Sequence, residues 1–436
     1  MKTTVQDLDY SAVMALPKPP HKQPRRPGIL SRTLVRIASG IGLMGCHFRY
    51  TKEGMKKIHE PSLILMNHSC FLDLGIVSKL FYPHPYAIVC TCDGFVGMHG
   101  WMERFMRWIG CIPTRKFVTD LQLVADIEYC LKKLHMNVLM YPEASYSFDG
   151  TATPLPQKMG VLLKKIGAPV VMIETRGAFS RNPLYNELRV RKSVPVSAVC
   201  RCLFSKQDIQ EKRPEELTRE LENAFCFDQF RWQKEQGIAI QDPTRAEGLN
   251  RILFRCAACG KEGAMSSKGD RLTCGNCGKV WTLTPLGELE SEGGAIFPHI
   301  PDWYAWERTQ IRQELLDGTY RLDIPVTIRM FRDYHAIYTV GHGRLTHDEN
   351  GFHLTGCNGQ LDYVQKPQAC YGLYADYYWY ELGDMICIGN QEALYYCFPE
   401  CGGDVVAKTR LAAEELYKLW KARPRKRNLS AQLGQS

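Results

Sequence analysis

A continuous apolar run that ends in polar residues is the feature that most constrains how this chain can fold. Residues 62–66 read Ser-Leu-Ile-Leu-Met, a pattern typical of a strand buried on both faces, and residues 71–81 predict a helix. Asn67, His68 and Ser69 stand between them. Open α/β sheets bind ligands at the edge where strands end and helices begin. The stretch therefore predicts an α/β fold with a polar site after residue 66.

Asp73 follows His68 by about one helical turn. Its carboxylate can hold one imidazole nitrogen, fix the tautomer and raise the basicity of the other nitrogen. We therefore predict that His68 is a general base and Asp73 its orienting partner, with no need for a nucleophilic serine or cysteine. A histidine and an aspartate at this spacing also arise by chance, and a capped helix start with a solvated Asp73 is the alternative.

Short apolar runs at residues 86–91, 136–141 and 169–174 alternate with helical patterns at residues 100–109, 119–133 and 157–166. This alternation predicts a mainly parallel sheet flanked by helices, which we place in a domain of residues 29–235.

Residues 1–28, rich in proline and basic residues, predict a flexible lead-in. Residues 29–48 predict an amphipathic helix that either attaches to a membrane interface or covers the sheet.

Two more loops carry unusual residues. Arg115 and Lys116 follow a proline where a predicted helix has ended, and the planar guanidinium of Arg115 suits a phosphate. Glu143 follows a predicted strand, where the favoured interpretation is a structural role that holds a helix N-terminus or a loop amide.

Residues 68–73, 110–116, 141–147 and 168–173, in this order, resemble the four blocks of the glycerolipid acyltransferase family, the family of the 1-acyl-glycerol-3-phosphate acyltransferases. The resemblance implies that His68 takes the proton from an acceptor hydroxyl as that oxygen attacks a fatty acyl thioester of coenzyme A or acyl-carrier protein. It also implies that Asp73 orients His68. Arg115 matches the arginine of the family's second block, which grips the acceptor phosphate, and Glu143 matches the glutamate of the third block. We predict that these two residues, together with Lys116 and Ser145, bind the substrate.

The third block departs from the family pattern of proline-glutamate-glycine-threonine-arginine-serine. Ala144, Ser145 and Tyr146 stand where the family has glycine, threonine and arginine. The implied acceptor is a lysophospholipid, with 1-acyl-glycerol 3-phosphate as the leading candidate, and a neutral hydroxyl acceptor is the rival. A catalytically altered fold that serves as a lipid-binding scaffold and recruits a partner is a further alternative.

A doubled cysteine pair gives the second strong motif. Cys256 and Cys259 form one Cys-x-x-Cys pair, and Cys274 and Cys277 form another after fourteen intervening residues. Four thiolates complete a tetrahedral zinc shell, so we predict a zinc ribbon at residues 250–285 with one structural zinc and no catalytic metal. Its predicted strands are residues 271–273 and 280–283. Redox-active pairs or disulfides are the alternatives.

Residues 286–424 predict a further α+β domain, in which a helix precedes several short strands and another helix closes the unit, followed by a tail of residues 425–436. One of the predicted strands covers residues 377–382.

The net charge of +9 suits an anionic partner. No apolar run reaches the ~20 residues of a spanning helix, and eighteen cysteines, most of them within apolar stretches, fit a reducing compartment. We therefore expect a cytoplasmic protein bound peripherally to the inner face of a membrane, where its lipid acceptor lies. The ribbon has no dense basic stripe with interleaved aromatic residues, so nucleic acid is not an expected partner.

Overall fold

The computed structural model describes residues 4–70, 72–97, 100–401 and 404–423, and the predicted tail of residues 425–436 lies outside them. Strand β1 (Val5–Asp7) and helices α1 (Tyr10–Ala15) and α2 (Ile29–Gly40) come first. Among these described residues, no helix is long and apolar enough to cross a bilayer.

Seven strands then form the first sheet. They are β2 (Arg49–Glu53), β3 (Leu63–Met66), β4 (Tyr86–Thr91), β5 (Cys111–Thr114), β6 (Asn137–Met140), β7 (Val170–Arg176) and β8 (Ser197–Phe204). Their spatial order is β2-β8-β7-β3-β6-β4-β5. All neighbouring strands run parallel except β7 and β8, which are antiparallel. The predicted mainly parallel sheet is therefore present, with one antiparallel pair that the sequence pattern did not indicate.

The helices of this region lie between or after those strands. They are α3 (Leu72–Phe81), α4 (Trp101–Trp108), α5 (Leu121–Lys132), α6 (Met159–Ile166), α7 (Ala178–Arg181), α8 (Lys206–Glu211), α9 (Pro214–Ala224) and α10 (Gln229–Glu235). Strand β3 is buried on both faces, because Leu63 and Leu65 belong to one core cluster and Ile64 and Met66 to another. This confirms the interpretation of its continuous apolar run.

The N-terminal segment differs from the predicted flexible lead-in. Strand β1 pairs in parallel with a strand of the C-terminal part, with Val5 opposite Ile337. Val13 is fully buried in a core cluster, and the imidazole of His21 bonds to Asp126. The prolines limit helix and strand formation locally, but they do not prevent the segment from packing against distant parts of the chain.

Helix α2 is shorter than predicted, and its apolar side faces outward. Only Ser31 and Val35 of the helix are buried, where it packs beside α3. The side chains on the predicted apolar side, in α2 and the residues after it, are exposed: Leu30, Leu34, Ile37, Ile41 and Met44. This side of the helix therefore does not cover the sheet, which was one of the two predicted arrangements.

The next part is a small antiparallel sheet. Its strands are β9 (Met265–Lys268), β10 (Arg271–Cys274), β11 (Val280–Leu283) and β12 (Leu289–Glu290). Strands β10 and β11 match the two strands predicted for the ribbon.

The C-terminal part of the described chain contributes seven strands and two long helices, and its sheet has β1 as an eighth strand, paired with β14. Its elements are α11 (Ile300–Leu316), β13 (Leu322–Phe331), β14 (Ile337–Asp348), β15 (Gly351–Gly356), β16 (Leu361–Gln365), β17 (Tyr374–Asp376), β18 (Met385–Gly389), β19 (Leu394–Pro399) and α12 (Val406–Ala422). The expected strand at residues 377–382 is wrong. Tyr378, Tyr380 and Glu381 have positive φ angles, which no extended strand tolerates.

The ribbon and the C-terminal part share a core with the first domain. One continuous cluster of buried residues includes Phe148 and Phe179 of the first domain, Trp281 of the ribbon, and Trp303 and Leu411 of the two long helices. Because apolar burial is the main favourable term in folding, these parts stabilise one another.

Candidate functional site

The site is built where β3 ends and α3 begins. Nδ1 of His68 lies 2.9 Å from Oδ2 of Asp73, and that oxygen also accepts the backbone N–H of Ser69 at 3.0 Å and of Cys70 at 3.4 Å. Asp73 is only 1% exposed, in the first turn of α3, where the positive end of the helix dipole favours a carboxylate. A solvated Asp73, the alternative considered above, is therefore excluded.

The surroundings favour a neutral imidazole. Burial is the largest influence and lowers the pKa of His68, Asp73 opposes this, and the charge of Lys116 lowers the pKa further. An N–H on Nδ1 that donates to the carboxylate leaves Nε2 with a free lone pair, which is the arrangement that a base requires.

Two tyrosines enclose the His68 ring. The ring centroids of Tyr141 and Tyr146 lie 4.1 Å and 4.2 Å from that of the imidazole, with interplanar angles of 27° and 36°. These contacts join residues that are far apart in the sequence, and sequence reasoning did not find them. The two rings restrict the orientation of the imidazole and shield it from water.

Asn67, which precedes His68, ties two strands of the sheet together. Its Oδ1 accepts the backbone N–H of Thr175 at 2.7 Å, and its Nδ2 donates to the carbonyl of Thr175 at 3.3 Å. Asn67 is fully buried. Its position just before the predicted base was the only signal of this role.

Glu143 fixes the backbone around His68. One carboxylate oxygen accepts the N–H of His68 at 3.0 Å, and the other accepts the N–H of Thr153 at 2.7 Å. Burial raises the pKa of Glu143 to about 7, although both N–H groups favour the charged form. These contacts agree with the structural role considered above, in which Glu143 holds loop amides. They give no support for its predicted contact with a substrate.

Arg115 and Lys116 lie at the junction with the C-terminal sheet. A guanidinium nitrogen of Arg115 donates to the carbonyl oxygen of Gln391 at 2.7 Å and to its side-chain oxygen at 3.1 Å. Nζ of Lys116 lies 4.0 Å from the centre of the Tyr374 ring. Burial raises the pKa of nearby Asp376 to about 7, and the charge of Lys116 partly offsets that rise. Both cations predicted to hold a phosphate are therefore engaged by the C-terminal part.

Ser145 is buried and bonded to the C-terminal helix. A guanidinium nitrogen of Arg410 donates to the hydroxyl of Ser145 at 3.0 Å, and another donates to the carbonyl of Tyr146 at 3.2 Å. No motif in the sequence pointed to Arg410, because it lies 264 residues after Tyr146.

The four predicted cysteine ligands come together. Sγ of Cys256 lies 3.7 Å from that of Cys277, and Sγ of Cys259 lies 3.8 Å from that of Cys274. All four sulfurs lie within 4.8 Å of one another. A tetrahedral shell with Zn–S bonds of about 2.3 Å has neighbouring sulfurs about 3.8 Å apart, so the cluster fits such an ion.

All eighteen cysteines lie within the part of the chain that the structure describes, and none forms a disulfide. The structure therefore does not contain the disulfides that were one alternative for the doubled cysteine pair.

Comparison with known proteins assigns the first domain to a class. Residues 48–173 match the family model described as Acyltransferase, so the chain carries an acyltransferase domain. This stretch contains His68, Asp73, Arg115 and Glu143, and the resemblance predicted from the ordered blocks is confirmed.

Among solved structures, the chain is similar to the 1-acyl-sn-glycerophosphate (LPA) acyltransferase PlsC from Thermotoga maritima. The identity is 14%, the match covers 44% of this chain and 76% of that chain, and the TM-score is 0.35. No curated protein matches the chain in a direct sequence comparison.

Proposed function

We propose that this protein is an O-acyltransferase that moves a fatty acyl group from an acyl thioester to the hydroxyl of a lysophospholipid. The observation that carries the proposal is the 2.9 Å contact between Nδ1 of His68 and Oδ2 of Asp73 inside the acyltransferase domain. The donor is the thioester of coenzyme A or of an acyl-carrier protein, and the leading acceptor is 1-acyl-glycerol 3-phosphate.

In the proposed reaction, Nε2 of His68 takes the proton of the acceptor hydroxyl as its oxygen attacks the thioester carbonyl. The tetrahedral intermediate then collapses, the carbon–sulfur bond breaks, and the departing thiolate receives the proton from the imidazolium. Asp73 holds the Nδ1–H throughout and stabilises the transient positive charge. The ester and the free thiol are the products, and the enzyme forms no covalent intermediate.

A second acceptor class is supported by the surroundings of the two cations. Arg115 already donates to Gln391, and Lys116 shares its environment with the buried carboxyl of Asp376. A phosphate would have to compete with these protein groups. A lipid with a neutral hydroxyl would not, so an acyltransferase for such an acceptor is the second candidate.

We propose that α2 attaches the protein to the membrane surface. On α2, Leu30 is 72% exposed and Ile37 is 66% exposed, and in the residues just after it Ile41 is 66% exposed and Met44 72% exposed. The helix also carries Arg32 and Arg36. Apolar side chains beside cations suit the interface of an anionic membrane. A position there would bring the site close to its lipid acceptor.

We propose that the four cysteines hold a structural zinc. Four thiolates fill the tetrahedral shell and leave no position for a substrate, which is typical of structural sites. The ribbon then serves to hold the surrounding parts of the fold together.

One assay tests the function. The purified full chain is mixed with acyl-CoA or acyl-carrier-protein thioesters and a panel of lysophosphatidate, other lysophospholipids and neutral lipid alcohols, and the products are read by mass spectrometry. We expect thioester-dependent acylation of a lipid hydroxyl. Thioester hydrolysis without acyl transfer, or no turnover with any pair, would contradict the proposal and favour the lipid-binding scaffold.

A further inference from the structure

The loop that carries Tyr146 against His68 is held from a distant part of the chain. Arg410 in α12 donates to the carbonyl of Tyr146 and to the hydroxyl of Ser145, at 3.2 Å and 3.0 Å. Its guanidinium also lies 4.3 Å from the centre of the Phe148 ring. A single side chain therefore fixes the loop at three neighbouring residues.

Arg410 is itself held in place. It is only 4% exposed, its Nε donates to Glu414 at 3.2 Å, and Arg308 of α11 lies 2.7 Å from the same carboxylate. Charge-assisted hydrogen bonds of this kind are stronger than neutral ones, and a buried guanidinium keeps its geometry only while its partners remain. Helices α11 and α12 thus form a rigid support for the loop.

The loop needs such a support. Ala144, immediately before Ser145, has a φ angle of 56°, a left-handed conformation that costs an L-residue free energy. Strained backbone persists only where the surrounding structure determines it. Without the contacts from Arg410, the turn can relax and carry the Tyr146 ring away from the imidazole.

We propose that Arg410 is a positioning residue for acyl transfer, acting from the C-terminal helix through Ser145 and Tyr146 on His68. The C-terminal part is then a working component of the acyltransferase site and not an accessory to it. This inference rests on the proposed function for its kinetic readout, but its structural readout is independent of turnover.

The structural readout is the titration of the His68 imidazole. The charges of Asp73 and Lys116 act on this imidazole, and the rings of Tyr141 and Tyr146 stack against it. The carboxylate of Glu143 accepts the backbone N–H of His68. Burial is the main cause of the lowered pKa of His68. If Arg410 holds Tyr146 over the ring, its loss should admit water and raise that pKa towards the value of about 6.5 for a solvated histidine.

The experiment compares three variants of the full chain with the parent. Arg410→Ala removes the support, and Arg410→Lys keeps the charge and one donor. Arg312→Ala is the matched control, because Arg312 pairs with Glu415 at 2.9 Å across the same two helices without contacting the loop. Steady-state kinetics gives kcat and KM, and NMR follows the His68 resonance, assigned from its loss in His68→Asn.

We expect Arg410→Ala to lower kcat by about tenfold or more, the usual effect of losing a charge-assisted contact, with a smaller change in KM. The midpoint of the His68 titration should rise. Arg410→Lys should change both kcat and this midpoint in the same directions, but by less than Arg410→Ala does. Arg312→Ala should stay within about twofold of the parent. If Arg410→Ala does not fold, the test uses Arg410→Lys alone, which should lower kcat and raise the midpoint of the His68 titration relative to the parent.

The inference is overturned if the Arg410 variants match Arg312→Ala in both kcat and the His68 midpoint. If the parent shows no acyl transfer, the proposed function fails, and the NMR midpoint still decides whether Arg410 positions His68.

Discussion

Arg115 donates a hydrogen bond to the carbonyl oxygen of Gln391, a residue 276 positions further along the chain. The arginine predicted to hold the acceptor phosphate is thus in contact with the C-terminal sheet. Either the phosphate replaces Gln391 when the acceptor binds, or the acceptor carries no phosphate. The two cases differ in a measurable way.

If the acceptor is a lysophosphatidate, Arg115→Ala should lower kcat/KM for it by roughly ten- to a hundred-and-fiftyfold, mainly through KM. The reason is the loss of a charge-assisted contact of about 1.5–3 kcal/mol. A neutral lipid alcohol assayed with the same variant is the control and should be little affected. An equal loss with both acceptors would mean that Arg115 acts through Gln391 on the structure and does not bind a phosphate.

The pH dependence of kcat/KM should have an acidic limb with a midpoint below 6.5. Burial lowers the pKa of His68, so the neutral base persists to lower pH than in a solvated histidine, and activity falls as pH decreases through that pKa. Glu143, whose pKa is raised to about 7, also titrates near this range. Measuring Glu143→Gln alongside separates the two groups, because the limb of His68 should remain. If the acidic limb disappears in Glu143→Gln, the limb reports the titration of Glu143 instead.

Protein purified without added metal should contain one zinc per chain by elemental analysis. Removing the ion should lower the melting temperature, because the backbone N–H of Arg255, next to Cys256, donates to Glu307 of α11 at 2.7 Å. Cys259→Ser should act in the same direction, and Cys226→Ser, an exposed cysteine outside the cluster, should not. Absence of zinc, or disulfides among these cysteines after anaerobic purification, would contradict the assignment.

Ala144→Gly should leave the protein as stable or more stable. The φ angle of 56° costs alanine about 1–2 kcal/mol in the folded state, and glycine avoids this cost. Glycine also gives the unfolded chain more entropy, which lowers the stability by roughly 0.5–1 kcal/mol. The expected gain in the free energy of unfolding is therefore at most about 1.5 kcal/mol. Ala152→Gly, nearby and without positive φ, is the control and should destabilise. Equal losses for both variants would show that the turn is not strained.

Local pattern was sufficient to predict the buried strand, the helix that carries Asp73 and the four-cysteine cluster. Each of these depends on residues close together in the sequence, so spacing alone places their side chains. The distances between His68 and Asp73 and among the cysteine sulfurs agree with that reasoning.

Contacts between distant parts of the chain could not be predicted in this way. The pairing of β1 with β14 and the bonds of Arg410 to the Tyr146 loop follow from tertiary packing, which leaves no local period in the sequence. Likewise, the pattern of α2 defined an apolar face but not what the face contacts. Arg115 was recognised by type, but its partner Gln391 could not be.

The most direct test of the central claim is the acyl-transfer rate of His68→Ala beside that of the parent. His21→Ala is the matched control, because His21 forms another histidine–aspartate pair, with Asp126 at 2.9 Å, away from the site. We predict that His68→Ala keeps the parent's melting behaviour and loses about 10²–10⁴-fold in kcat, the usual contribution of a general base, while His21→Ala retains activity. Turnover of folded His68→Ala within about threefold of the parent, far inside the range expected for a lost base, would contradict the account.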